Sequence, residues 1–320
     1  MALFSKIIAT GSYLPKKILT NDDLAKIVDT SDDWIRSRTG ITKRHIAADD
    51  EYTSHMAANA ALNALKNANI SSAQIDMIIV ATTTPDNTFP STATKVQHLI
   101  KASNACAFDV QAVCSGFIYA LAIADNFIKS GQRKNILVIG AEKMSSILNW
   151  QDRTTCVLFG DGAGAVILSA NTDNNSGIIS TNLHSDGDFY DILYTDGGTS
   201  LNKTAGHIQM NGQEVFKHAV SKMSATINES LSNNNFTLAD ITWLVPHQAN
   251  LRILEMVGKR LHINDDRVIN YVAEHANTSA ASIPLALDLA VKNNKFKSGD
   301  LLALTAIGGG ITWGSALIRW

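Results

Sequence analysis

Cysteine is scarce in this chain: Cys106, Cys114 and Cys156 are the only three in 320 residues. An odd count with no CxxC spacing excludes a disulfide framework and a structural zinc site, so a reducing, cytoplasmic setting and no metal are expected. Net charge is nearly absent too, at −2 from 27 Lys and Arg against 29 Asp and Glu. That balance excludes general affinity for nucleic acid or an anionic membrane, and any basic docking site must be local. No apolar run reaches the roughly 20 residues of a membrane-spanning helix. The first residues, Met1-Ala-Leu-Phe-Ser-Lys-Ile-Ile-Ala9, contain no charged leader followed by an apolar core and read as a first strand. What the chain has in quantity is apolar residue, 45% against 18% charged, enough for the large core of a globular enzyme.

Read in order, short apolar runs alternate with longer helical ones. Ser31 is placed to cap a short helix ending near Gly40, and Thr53 to Ala68 is alanine-rich and helical. Ile75 to Thr82 reads as a buried strand, and Pro85 and Pro90 make 83–91 a loop. Thr92 to Ile100 reads as a helix, Ala105 to Val110 as a strand, and Phe117 to Ile128 as a helix too apolar for a surface. The glycines of Phe159-Gly-Asp-Gly-Ala-Gly resemble a phosphate loop, but no helix follows to cradle a phosphate.

The chain also repeats. Leu65 to Val80 matches Leu231 to Pro246 at an offset of 166 (231 − 65), and Lys129-Ser-Gly131 matches Lys297-Ser-Gly299 at 168 (297 − 129). Two ordered matches at nearly one spacing predict a duplicated α/β unit, with halves 1–172 and 173–320 divided in the polar run 170–176. An offset of 168 pairs Cys114 with Ser282, which then reads as a silent copy of it.

Three segments carry side chains for chemistry. Cys114 stands between the strand ending at Val110 and the apolar helix, where free N–H groups and the positive end of the helix dipole favour a thiolate. A buried cysteine is also an ordinary small core residue, and both readings remain open from position alone. His247 follows a strand that ends in Pro246, where open α/β folds place ligand chemistry; a satisfied structural histidine reads the same way. Asn277, in Glu274-His-Ala-Asn-Thr-Ser-Ala-Ala-Ser282, offers two amide donors or a helix cap. Gly308-Gly-Gly310 follows a strand and lets backbone N–H groups approach a ligand, as an oxyanion hole requires.

Together, Asp109-Val-Gln-Ala-Val-Cys114-Ser-Gly-Phe117, Val245-Pro-His247-Gln-Ala-Asn-Leu-Arg252, Asn277-Thr-Ser-Ala-Ala-Ser282 and Gly308-Gly-Gly310-Ile-Thr-Trp-Gly closely resemble β-ketoacyl-(acyl-carrier-protein) synthase III. This family initiates bacterial type II fatty-acid synthesis, and the resemblance runs from Gly11 to Trp313. It implies a thiolase-like five-layered αβαβα fold and a Cys114–His247–Asn277 triad, with the N–H groups of Cys114 and Gly309 as the oxyanion hole. It implies a decarboxylative condensation of acetyl-CoA with malonyl-acyl-carrier protein, with CoA thioester as substrate and no cofactor.

The resemblance further implies that Trp34, Arg38 and Arg153 hold CoA. Arg252, Lys259 and Arg260, which share a helix face, would dock the acidic carrier protein. It implies a homodimer in which Phe89 caps the partner's acyl pocket. Ala276 departs from the family's usual glycine, and Ile307, beside the acyl pocket, departs from its usual phenylalanine. A thiolase-fold enzyme of secondary metabolism, a non-catalytic acyl-CoA or carrier-protein binding subunit, and a thioester hydrolase are the competing readings.

Overall fold

The computed structural model describes residues 2–173 and 175–320. Continuous apolar runs form the central strands, because both faces of each are covered. Met77-Ile-Ile-Val-Ala81 is buried at every position and runs parallel to Cys106–Val110 on one side and Asn135–Glu142 on the other. Gly162–Asn171 and then Phe4–Tyr13 complete this first sheet antiparallel, giving five strands. The second sheet repeats the pattern. Trp243–Pro246 runs parallel to Leu301–Gly308, and Thr312–Arg319 and Gly177–Ser185 follow antiparallel. Where a fifth strand would lie, a single parallel bridge joins Leu244 and Val268.

The sheets stack with helices into five layers, α-β-α-β-α, as the family resemblance implies. Thr53–Ala68 and Thr92–Leu99 cover the outer face of the first sheet, and Gly212–Asn233 and Leu251–Arg260 cover the outer face of the second. Between the sheets lie Gly116–Lys129 and Ser282–Lys292. Phe117, Ile118, Leu121 and Ile128 on the first of these have no exposed surface, and each such side chain stabilises the fold by roughly 1.5–3 kcal/mol. They join residues of both sheets and both helices in one cluster. Approach is close here. A Cβ added at Gly140, on the first sheet, would lie 2.2 Å from the Ala280 carbonyl oxygen.

The duplication holds, and the structure fixes its register. Met77 and Trp243 begin equivalent strands (243 − 77 = 166), Gly116 and Ser282 begin equivalent helices, and Asn135 and Leu301 begin the next strands, all 166 apart. The turns ahead of the two helices match in backbone as well: Val113 has φ +48° and Ser279 has φ +49°. The expected pairing of Cys114 with Ser282 is therefore wrong. Cys114 corresponds to Ala280, and Ser282 corresponds to Gly116. The Lys-Ser-Gly recurrence at 168 is out of step because Lys129 is the last residue of one central helix, whereas Lys297 lies five residues past Lys292, the end of the other (297 − 292 = 5). The expected division at 172/173 falls in the connection between Asn171 and Gly177, of which residue 174 lies outside the described residues.

Candidate active site

Cys114 sits in the 3-10 turn Val113–Ser115, immediately before the central helix. Val113 takes a left-handed conformation that β-branched residues avoid, and strained backbone of this kind concentrates at functional sites. The turn is pinned to the glycine segment of the other half. Ser115 Oγ donates to the Ala112 carbonyl at 2.7 Å and lies 2.8 Å from Thr312 Oγ1. Gly308 comes so near that a Cβ there would stand 2.6 Å from the Cys114 nitrogen. Gly309, the other expected oxyanion donor, follows Gly308 directly in the chain.

The thiol departs from expectation. Its place at a helix start predicts a lowered pKa, yet Cys114 is 5% exposed and burial pushes the thiol up to about 12. The Ser279 side chain beside it favours the thiolate, and the nearby Glu142 charge disfavours it. Desolvation of the anion is the largest of these effects.

His247 is 2% exposed, and burial alone brings its pKa down to about 3, so the ring is neutral. Its backbone N–H donates to Thr305 at 2.8 Å, which fixes it at the end of Trp243–Pro246. Its Nδ1 lies 2.6 Å from Ser282 Oγ. Asn277 is clamped to the first half: its N–H donates to Leu158 at 2.9 Å, and its carbonyl accepts from Gly160 at 3.0 Å. Its side-chain Oδ1 accepts the Ser279 N–H at 2.9 Å. The amide nitrogen is thus the end left to donate. One short segment, 277–282, therefore carries Asn277, contacts Cys114 through Ser279, and contacts His247 through Ser282.

Two participants escaped the sequence reading. Glu142 is fully buried. It accepts from Thr84 Oγ1 at 2.6 Å, Thr83 N at 3.1 Å and Oγ1 at 3.1 Å, Thr82 Oγ1 at 3.3 Å, and Ser279 Oγ at 3.0 Å. Burial raises its pKa against the pull of these donors. It ties the Asn277 segment to the first sheet. The signal in the sequence was an acid ending the apolar strand Asn135–Glu142, with three threonines some sixty residues earlier to receive it. Ser282 is the other: the sequence offered it only as a silent copy of Cys114, and its contact with His247 has no local signature.

Ala276 has φ +58° and ψ −166°, a region almost confined to glycine that costs on the order of 1–3 kcal/mol in other residues. The sequence departure thus carries strain one residue before Asn277. At an ordinary buried site, Ala→Gly loses a methyl and backbone entropy, about 1 kcal/mol or more. Here relief of strain offsets that loss. Ala276→Gly is expected to unfold at the wild-type denaturant midpoint or higher; a loss above about 1 kcal/mol would show that the alanine is unstrained.

The remaining expected residues group as follows. Trp34 is capped by two guanidinium groups, Arg38 at 4.8 Å and Arg153 at 5.3 Å from its ring centroid. Ser31 caps this helix by accepting the Trp34 N–H, and Arg153 pairs with Asp29 at 3.1 Å. Arg252, Lys259 and Arg260 are all exposed along Leu251–Arg260, with Arg252 lying 5.5 Å from the Phe216 ring centroid. Phe89 is 83% exposed and lies apart from the triad. Ile307 is 7% exposed and packs in the second half's core with Ile311 and Leu317. A recess of about 520 Å³ lined by Lys17, Leu19, Ile46, Lys143 and Trp150 touches none of the triad. Among the described residues no cluster of three or more His, Cys, Asp or Glu could hold a metal, and no helix is long and apolar enough to cross a membrane.

Known proteins resemble this chain over nearly its whole length. Residues 108–187 match the family model described as 3-oxoacyl-(acyl-carrier-protein) synthase III, and residues 231–320 match that family's C-terminal model. The β-ketoacyl-(acyl-carrier-protein) synthase III of Ehrlichia canis is 62% identical over 98% of this chain and 99% of its own. That of Paramagnetospirillum magneticum is 58% identical over the full length of both. The crystal structure of 3-oxoacyl-(acyl-carrier-protein) synthase III from Aquifex aeolicus superposes with a TM-score of 0.95 at 50% identity, over 99% of this chain and all of that one. The priming β-ketosynthase of the R1128 polyketide pathway superposes at 0.93 with 32% identity, over 98% and 96% of the two chains. With both family models matched and full-length relatives near 60% identity, this chain belongs to the 3-oxoacyl-(acyl-carrier-protein) synthase III family and has its thiolase-like fold.

Proposed function

We propose that this protein condenses acetyl-CoA with malonyl-acyl-carrier protein, releasing CoA and carbon dioxide and giving acetoacetyl-acyl-carrier protein. The observation that carries the reading is the segment 277–282, which joins a buried thiol, a neutral imidazole and an amide with its oxygen already occupied. That is one nucleophile and two hydrogen-bond donors. The halves divide the labour: 1–172 supplies Cys114, and 173–320 supplies His247 and Asn277.

Cys114 sulfur attacks the acetyl carbonyl, the oxygen gains charge against the Cys114 and Gly309 N–H groups, and the carbon–sulfur bond to CoA breaks, CoA leaving as the thiol with the proton that Cys114 gives up. In malonyl-acyl-carrier protein the bond to the carboxylate then breaks, and its electron pair moves onto the thioester oxygen as an enolate. His247 and Asn277 donate to that oxygen. The enolate carbon attacks the acetyl group on Cys114, and the sulfur leaves with the electron pair. Release of carbon dioxide supplies the driving force. The curated relatives at 57–62% identity carry the synthase III name, which favours this reading over secondary metabolism. Intact-protein mass spectrometry after incubation with acetyl-, butyryl- and isobutyryl-CoA tests it. An acyl adduct on Cys114 is expected, and its absence with every primer would refute the assignment.

Trp34, Arg38 and Arg153 suit the nucleotide end of CoA: an aromatic face and two planar cations stack on adenine and pair with phosphate. Arg252, Lys259 and Arg260 suit an acidic carrier protein. Arg252→Glu is expected to raise KM for malonyl-acyl-carrier protein about tenfold and to leave KM for acetyl-CoA unchanged; an unmoved carrier-protein KM in steady-state kinetics would remove the dock. A homodimer is supported by the exposed Phe89 and by the outermost strand Cys106–Val110, whose free edge calls for a partner. The three free cysteines suit the cytoplasm.

A further inference from the structure

Ser282 Oγ is buried and has two partners: it accepts the Gln248 backbone N–H at 3.3 Å, and it lies 2.6 Å from His247 Nδ1. A hydroxyl has a single proton to give. Among the described residues, His247 Nδ1 is the one acceptor within hydrogen-bonding distance of it. Were the imidazole proton on Nδ1, it would point at the serine oxygen, and the serine proton would be left buried without a partner, which folded proteins avoid. With the proton on Nε2, both groups are satisfied.

We propose that Ser282 is a positioning residue that holds His247 in the Nε2–H tautomer, making the ring a hydrogen-bond donor rather than a base. This rests on the proposed role of His247 in malonyl decarboxylation. The partner chemistry separates this site from acid–base histidines. There a carboxylate accepts from the ring and stabilises the imidazolium; here a neutral hydroxyl donates to it, and among the described residues no carboxylate is hydrogen-bonded to the ring. The assignment also gives the second half's helix start a task its equivalent lacks. Gly116 occupies the matching position and lies against the first sheet, where an added Cβ would meet Ala81 Cβ at 3.2 Å.

The direct test is nitrogen-15 NMR of the histidine-labelled protein, with two-bond correlations reporting which ring nitrogen is protonated and His247→Asn assigning the signal. The wild type is expected to show Nε2–H; Nδ1–H would overturn the proposal. Ser282→Ala is expected to lower kcat for malonyl-acyl-carrier protein decarboxylation about ten- to hundredfold, below the loss from removing the imidazole itself, with KM and the rate of Cys114 acetylation held. Ser282→Thr, which keeps the hydroxyl, should restore most of the rate and the Nε2–H signal. Equal loss in Ala and Thr variants, or loss of acetylation in parallel with decarboxylation, would reduce Ser282 to a packing role. If Ser282→Ala fails to fold, the wild-type tautomer and the threonine variant still decide. A wild-type protein that does not decarboxylate malonyl-acyl-carrier protein would refute the function proposed above, and the tautomer measurement stands apart from it.

Discussion

Cys114→Ala is expected to take up no acetyl group from acetyl-CoA and to lose condensation by at least about 10⁴-fold, because removing a covalent nucleophile removes the acyl-enzyme itself. Fold should survive, since the change deletes one buried sulfur from a turn held by Ser115, Thr312 and Gly308. Intact mass and near-native thermal unfolding would be read on the same sample. An acetyl adduct at the wild-type rate would move the nucleophile elsewhere, and Cys156, also buried and free, would be the next thiol to examine. With burial pushing the Cys114 thiol up to about 12, little thiolate exists at neutral pH before substrate arrives. The proton must therefore pass to the departing CoA sulfur as the thioester is engaged, when the oxyanion donors and the helix N-terminus act together on the developing charge.

His247→Ala and Asn277→Ala should each lower malonyl-acyl-carrier protein decarboxylation about 10²–10³-fold, the usual loss for one preorganised donor. Acetylation of Cys114 should stay within about threefold of wild type. The split follows from protonation. A ring with a pKa brought down to about 3 is neutral, and with Nδ1 occupied by Ser282 it has a proton to donate and no free basic nitrogen to offer the thiol. Asn277 has no basic atom at all. Radiolabelled carbon dioxide release from malonyl-acyl-carrier protein, beside the rate of acetyl-enzyme formation, separates the two half-reactions. Parallel loss of both would make His247 the base for Cys114 and refute the division.

Local pattern and segment length made much of the fold legible. Thr53–Ala68 and Trp243–Pro246 form as expected, because an alanine-rich helix and a buried apolar strand are each specified by their own residues. The duplication was legible because it repeats at one spacing. Its register was not: Lys-Ser-Gly recurs once at a helix end and once in the connection beyond one, whereas the buried elements keep 166. Cys114, His247 and Asn277 could be named as candidates from their motifs, but their protonation could not. The helix start predicts a lowered thiol pKa, while depth of burial, which depends on both halves packing together, raises it. Glu142 is held by Thr82–Thr84 and Ser279, partners 58 to 137 residues away; no local signal reports such a cage.

The two central helices have one more consequence, for synthesis of the chain. Gly116–Lys129 is complete long before Ser282–Lys292 and the second sheet have been made, yet its apolar surface is buried by both sheets. The nascent first half therefore presents Phe117 and its neighbours to water until the last strands arrive, and it cannot reach its final state alone. The ribosome releases a protein whose halves complete each other's core.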